Sequence, residues 1–273
     1  MLAKSDVLHV GGLQLAYVRR GVPGAPAVVF LHGWASSSRM WESAQSALAD
    51  DFDTVAIDLP GHGGSTKPAW RWYTSYNITE AVRQACVSLG LRTPSLIGHS
   101  MGGTIALELA ASPDFDVDRL VLVNPVVTGV VTPLSHPIRE EWMRPVVRMS
   151  RRLWPMASRL LAKSPSAVRT RLPNHVVRNQ EDLAQTTADS ALGSIRAVLA
   201  WDVRSRLGDI RAPTLVMVGD LDRTVPPREG MVAVEQIRGA RLVRFRGGHS
   251  PSDEDPRAFE AELTSFLAPS RLL

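Results

Sequence analysis

The sequence predicts an α/β protein: a mostly parallel sheet flanked by helices, with a helical segment inserted late in the chain. Three observations carry this. Short apolar runs rich in β-branched residues alternate with longer stretches of helical apolar spacing up to about residue 125. Between Val126 and Ser205 the rhythm stops, Arg, Pro and Trp accumulate, and no buried strand can be read. The alternation then resumes at "APTLVMVGD" and runs to the C-terminal region.

Each element has its own signal. "LQLAYVRRG" alternates as a half-exposed strand of an opening antiparallel hairpin, whereas "PAVVFLHG" is an unbroken apolar run, as expected of a strand covered on both faces. "RMWESAQSALAD" reads as a helix and "FDTVAIDLPGHGGS" as a strand entering a Gly-rich loop. A helix within "YNITEAVRQACVSLG", the strand "PSLIG", the helix "MGGTIALELAAS" and the strand "DRLVLVNP" follow. "REEWMRPVVRMSRRLWPMASRLLA" is helix-like and belongs to the insertion. After it come the strand "APTLVMVGD", the helix "REGMVAVEQIRG", the strand "ARLVRFRGG" and the helix "DPRAFEAELTSFLA". The implied division is a core of 1–125 and 206–273, with 126–205 as a helical cap over the carboxyl ends of the strands.

Composition excludes several classes of function. At 273 residues and 44% apolar content the chain buries a sizeable core. Its net charge of +4 is too small, and too unclustered, to indicate nucleic acid. The bias that exists is local: residues 126–205 hold twelve basic and six acidic side chains. A solvated helix face is the plain explanation, and docking of an acidic carrier protein is the sharper one. Only three of the basic residues are lysines. No apolar run reaches the 18 residues of a membrane span, and "MLAKSDVLHVGG" has no apolar leader core, so no membrane association is expected. A lone cysteine, Cys86, on a helix fits a core residue in a reducing, cytoplasmic setting. No histidine or cysteine spacing suggests a metal site, and no cofactor is expected.

One stretch breaks the apolar pattern. In "SLIGHSMGGTIALELA" a polar cluster sits where a strand hands over to a helix. A sharp strand-to-helix turn requires small neighbours, and Gly98 and Gly102 flank Ser100 by two positions on each side. This is the G-x-S-x-G nucleophile elbow in its expected context, although a serine there also fits a simple helix N-cap. A serine hydroxyl needs a base and a group to orient that base. Asp220 and Asp222 follow one later strand and His249 follows the next, giving the chain order Ser, Asp, His at one edge of the sheet.

With "LHGW" at 31–34, "DLPGHGGS" at 58–65, "GHSMGG" at 98–103 and "GDLDRTVP" followed by "GGHSP", the chain resembles the α/β-hydrolase superfamily over nearly its whole length. The resemblance implies an eight-stranded sheet and a triad of Ser100, Asp222 and His249. Asp222 is taken over Asp220 because it fits the family's G-x-x-D-x-x-x-P spacing through Gly219 and Pro226; the alternative acid position after the preceding strand holds Asn124. It also implies an oxyanion hole from the amides of Trp34 and Met101, with His32, His62 and Asp58 bracing loops and His99 packing beside the nucleophile. His9, His136 and His175 carry no motif and are expected at the surface.

Trp34, Trp142, Trp154 and Trp201 are candidates to line an apolar acyl pocket, or alternatively to pack between helices. The expected activity is hydrolysis of a carboxylic ester with a small or medium apolar acyl group. Thioesterase, acyltransferase, lactonase, carbon–carbon hydrolase and lyase chemistry use the same triad. Epoxide hydrolases and haloalkane dehalogenases need an aspartate where Ser100 stands. A binding protein without chemistry is disfavoured by the complete motif set.

Overall fold

A computed structural model describes residues 5–132, 145–146, 148–154, 156, 160 and 174–268. Eight strands form one sheet: β1 (Asp6–Val10), β2 (Leu13–Gly21), β3 (Ala27–Leu31), β4 (Asp53–Ile57), β5 (Ser95–His99), β6 (Leu120–Val123), β7 (Thr214–Gly219) and β8 (Arg241–Phe245). Their order is β1-β2-β4-β3-β5-β6-β7-β8. The β1–β2 and β2–β4 pairs are antiparallel. From β4 onward every pairing is parallel, so the carboxyl ends of six strands share one edge.

Side-chain alternation sorts the central strands between two apolar layers. Val29, Leu31, Leu96, Leu120, Leu122, Val216 and Val218 face one layer with Ile78 and Val82 of α2 (Ser75–Ser88) and Ile105 of α3 (Met101–Ala110). Val28, Phe30, Ile97, Val121, Val123, Leu215 and Met217 face the other, with Leu48 of α1 (Glu42–Leu48) and Phe259 of the C-terminal helix Pro256–Leu267. Both faces are buried, which is why these strands read as unbroken apolar runs. Cys86 lies fully buried on α2, as its sequence context suggested.

The stretch read as one helix from Arg39 is two elements. A 3-10 turn at Ser38–Trp41 precedes α1, with Ser37 Oγ accepting from Arg39 N at its start. Trp41, at φ −96° and ψ 4°, makes the break, because its indole goes into the core against Phe30 and Phe259.

Between β6 and β7 the described residues hold α4 (Asn174–Gln185), α5 (Ala188–Leu199) and a 3-10 turn at Arg204–Asp209, besides helical residues at 148–154. The start of this insertion is tied to α6 (Arg228–Gln236): buried Glu229 accepts from Val127 N, Thr128 N and Thr128 Oγ1 at 2.7–2.8 Å. Further along, α5 seats on the core. Tyr73 donates to Ser190 Oγ at 2.8 Å, Arg196 donates to Tyr73 O at 3.0 Å, and Trp70 N donates to Asp189 Oδ1 at 3.1 Å.

The β5–α3 junction depends on missing side chains. A methyl group at Gly98 would fall 2.3 Å from Gly102 O, and one at Gly102 would fall 2.2 Å from Leu31 O. Both neighbours are backbone atoms with little room to move. Gly102→Ala therefore lowers stability by about 3 kcal/mol, read from its urea midpoint. Gly208→Ala, where no atom lies within 4 Å, stays within about 0.5 kcal/mol of wild type.

Candidate active site

Ser100 sits between β5 and α3 with φ 54° and ψ −115°. A non-glycine residue there is strained, by about 1–3 kcal/mol. Its side chain makes no capping hydrogen bond, so the hydroxyl is not used to cap α3. The backbone holds it instead: Ser100 N donates to Val123 O at 2.9 Å, and Ser100 O accepts from Gly103 N and Thr104 N. Among the described residues the other non-glycine positions with positive φ are Ala35 and Asn124. All three follow central strands at the same sheet edge, the β3, β5 and β6 ends.

The loop after β7 delivers Asp222, whose side chain is fully buried. Its Oδ1 accepts from Thr224 N and Val225 N at 2.7 and 3.0 Å. Its Oδ2 accepts from His249 Nδ1 at 2.7 Å. With the His249 proton on Nδ1, Nε2 is left with a free lone pair. Asp220, the other candidate acid, turns to the surface and takes Arg244 Nε at 2.8 Å.

His249 meets the end of β5 through His99. His99 Nε2 donates to His249 O at 2.7 Å, and the two rings lie 4.6 Å apart between centroids. Burial, and secondarily the nearby His249, holds His99 well below the ordinary imidazole range, so it is a neutral donor.

Asn124 completes this support. Its Nδ2 donates to His249 O at 2.9 Å and Gly248 O at 3.2 Å, while its Oδ1 accepts from Gly219 N at 2.9 Å. Glu254 takes the amides on either side of His249, Gly248 N at 2.6 Å and Ser250 N at 3.1 Å. Sequence reading missed Asn124, seen only as a residue unable to carry charge, and missed Glu254. For Asn124 the available signal was an uncharged amide, both donor and acceptor, at the end of a strand.

The loop after β3 lies against Ser100: a methyl group at Gly33 would sit 3.3 Å from Ser100 Cβ. His32 braces it, with Nδ1 donating to Gly33 O at 2.7 Å and Nε2 accepting from Leu59 N at 2.9 Å. Asp58 accepts from Ser38 N and Gly64 N, joining this loop to the one after β4. His62 Nδ1 lies 3.2 Å from Pro60 O, inside that second loop. Met101 opens α3, so its amide has no intrahelical acceptor.

The tryptophans divide. Trp34 is partly exposed and donates from Nε1 to Ala191 O of α5 at 3.0 Å. Trp154 donates to Thr186 O at 2.8 Å. Trp201 is buried in the main apolar layer and donates to Glu108 Oε1 at 3.0 Å, which makes it a packing residue in this structure. Trp142 and His136 lie outside the described residues. His9 is exposed, while His175, expected at the surface, is half-buried on α4.

The alpha/beta hydrolase fold family matches residues 26–256. The chain belongs to that family. This α/β hydrolase is 30% identical over 266 residues to an uncharacterized protein of Mycobacterium tuberculosis, covering 89% of this chain and 75% of the relative. It is 26% identical over 276 residues to monoacylglycerol lipase abhd6-A of Xenopus laevis, covering 94% and 80%. The crystal structure of a hydrolase from Pseudomonas aeruginosa PA01 superposes with a TM-score of 0.83 at 28% identity, over 98% of this chain and all of that one. Among the described residues, no helix is long and apolar enough to cross a membrane, and no group of three His, Cys, Asp or Glu side chains is placed to hold a metal ion.

Burial gives the hydrolase an acid liability. Desolvation pushes His32 down to about 4, and desolvation with the neighbouring His32 pushes His62 down to about 3. The unfolded chain binds protons at the ordinary value near 6.5 and the folded one does not, so this stability is complete above about pH 6.5 and falls as pH drops toward the depressed values. Each such histidine adds a slope of about 1.4 kcal/mol per pH unit in that window. Urea titrations between pH 6 and pH 4 should show a shallower loss for His62→Gln than for wild type; equal slopes would contradict the assignment.

Proposed function

We propose that the protein is a serine hydrolase that cleaves a carboxylic ester with a small or medium apolar acyl group through an acyl-enzyme. The observation that carries this reading is the 2.7 Å contact from His249 Nδ1 to buried Asp222, made by a histidine that also lies against His99, the residue before the strained Ser100. In this reading His249 Nε2 takes the Ser100 proton as Oγ attacks the ester carbonyl carbon. Asp222 keeps the ring in the Nδ1–H tautomer and stabilises the imidazolium. The oxyanion is met by the amides of Trp34 and Met101, each donor contributing about 3 kcal/mol to the barrier reduction. Collapse of the tetrahedral intermediate expels the alkoxide, which leaves with the proton from His249. Water, deprotonated by His249, then releases the acid and regenerates Ser100.

Residues 126–205 act as the cap in this proposal. Support comes from the Trp34–Ala191 bond, which brings α5 over the loop carrying one oxyanion amide. Among the described residues, Trp34 and Trp154 are then the candidate tryptophans for the acyl group, and Trp142 lies outside them. The substrate is a small-molecule ester or thioester, and no cofactor enters the scheme.

The test is release of 4-nitrophenol from acetate, butyrate and octanoate esters, with mass mapping after an organophosphonate probe. Turnover should be lost by about 10⁶-fold in Ser100→Ala and about 10⁴-fold in Asp222→Asn, with the label on Ser100. Neither turnover nor label in wild type would overturn the reading.

A further inference from the structure

The insertion grips the core at two places that the proposed chemistry does not use, and both lie on α4. Arg178 Nη1 and Nη2 donate to Asp253 Oδ1 and Oδ2 at 2.9 and 2.7 Å, a bidentate pair with side chains only 16% and 14% exposed. Four residues on, and so on the same helical face, Asp182 accepts from Ser37 Oγ at 2.8 Å and Arg39 Nη1 at 3.1 Å. Glu181 takes the other arm of Arg39 at 3.0 Å. Ser37 and Arg39 belong to the segment that follows Trp34.

Asp253 lies in α7 (Pro251–Glu254), the four-residue helix immediately after His249. A single turn has little stability of its own. Yet this turn presents Glu254 to both amides flanking His249. Asn124 and His99 hold the His249 carbonyl from within the core, Glu254 holds the amides from outside, and Arg178 fixes the turn on which Glu254 stands. Exposed ion pairs contribute little. A shielded, two-pronged one is geometrically specific, and losing one partner leaves the other charge poorly solvated.

We propose that Arg178 is a positioning residue for the base: by clamping Asp253 it sets the turn that orients His249, while Asp182 sets the oxyanion loop from the same helix. The inference rests on reading Ser100, Asp222 and His249 as the triad. Its consequence is that the insertion and the catalytic geometry are assembled together, through a helix that carries none of the three.

Arg178→Gln, Arg178→Lys and Asp253→Asn test it, with Arg204→Gln as control, since the Arg204–Asp202 pair is exposed. The readouts are kcat and KM on the 4-nitrophenyl ester, thermal midpoint, and the imidazole NMR signals of His249, above all its Nδ1 proton bonded to Asp222. Arg178→Gln and Asp253→Asn should lower kcat by about 10- to 100-fold with KM within about twofold, and should move or broaden the His249 signal. Arg178→Lys should recover part of the loss, and Arg204→Gln should match wild type. Wild-type kcat, a loss confined to KM, or a lowered kcat with an unmoved His249 signal would each overturn the proposal. If Arg178→Gln does not fold, the near-isosteric Asp253→Asn decides. The NMR readout also separates this inference from the ester-hydrolase reading: without any ester turnover, a His249 signal that shifts in Arg178→Gln sustains the positioning role, and an unmoved one ends it.

Discussion

The backbone of Ser100 is the constraint on which the site depends. A left-handed residue between a strand and a helix lifts its side chain off the sheet, but costs free energy that the surroundings must offset. The offset is visible in the bonds from Ser100 N to Val123 O and from Gly103 and Thr104 back to Ser100 O, and in the packing of the start of α3 on β3 that only glycine at 102 permits. Positive φ recurs at Ala35 and Asn124. These positions lie in the loop that packs against Ser100 and at the strand end that holds the His249 carbonyl, so left-handed backbone is concentrated where the loops converge.

Around that turn, charge and geometry are assigned to different residues. Asp222 carries the negative charge, fully buried, with two backbone amides on one oxygen and His249 on the other. Asn124 carries no charge, and it does something a carboxylate could not. Its amide donates to two carbonyls and accepts from Gly219 N, joining the ends of β6 and β7 to the loop after β8. His99 adds a neutral donor, kept uncharged by burial beside His249. In the proposed mechanism a second cation there would repel the imidazolium formed on His249.

Much of this was legible in the residues alone. The strands announced themselves because burial on both faces leaves no room for polar alternation, and the elbow stood out because polar and small residues interrupted an apolar run. Asp222 was set apart from Asp220 only through the resemblance to the family, by the spacing to Gly219 and Pro226; in the structure Asp222 meets His249 and Asp220 meets Arg244. What could not be read is what depends on partners distant in sequence. Asn124 reaches carbonyls about 125 positions away, and Arg178 finds Asp253 75 positions on. The break at Trp41 was hidden for a different reason: helical apolar spacing continues across it, and only the demand of the Phe30–Trp41–Phe259 packing splits the segment.

The arginine-rich composition acquires a structural meaning in the insertion. Twelve basic residues against six acidic ones suggested a solvated face or a docking surface. Several of those arginines in the described residues are instead fasteners. Arg178 clamps Asp253 and Arg196 reaches Tyr73 O while stacking 5.1 Å above the Trp70 ring, whereas Arg151 pairs with Asp189 within the insertion itself. A guanidinium suits each of these tasks, because its planar fork matches a carboxylate and its face suits an indole, whereas an ammonium offers one compact charge. The reverse contact, Arg39 of the core on Asp182 and Glu181, uses the same geometry in the opposite direction. The insertion is therefore joined to the core by directional polar contacts as well as apolar packing. Such contacts fix the position of α4 relative to two loops at once, which a purely apolar seam, tolerant of sliding, would do less sharply.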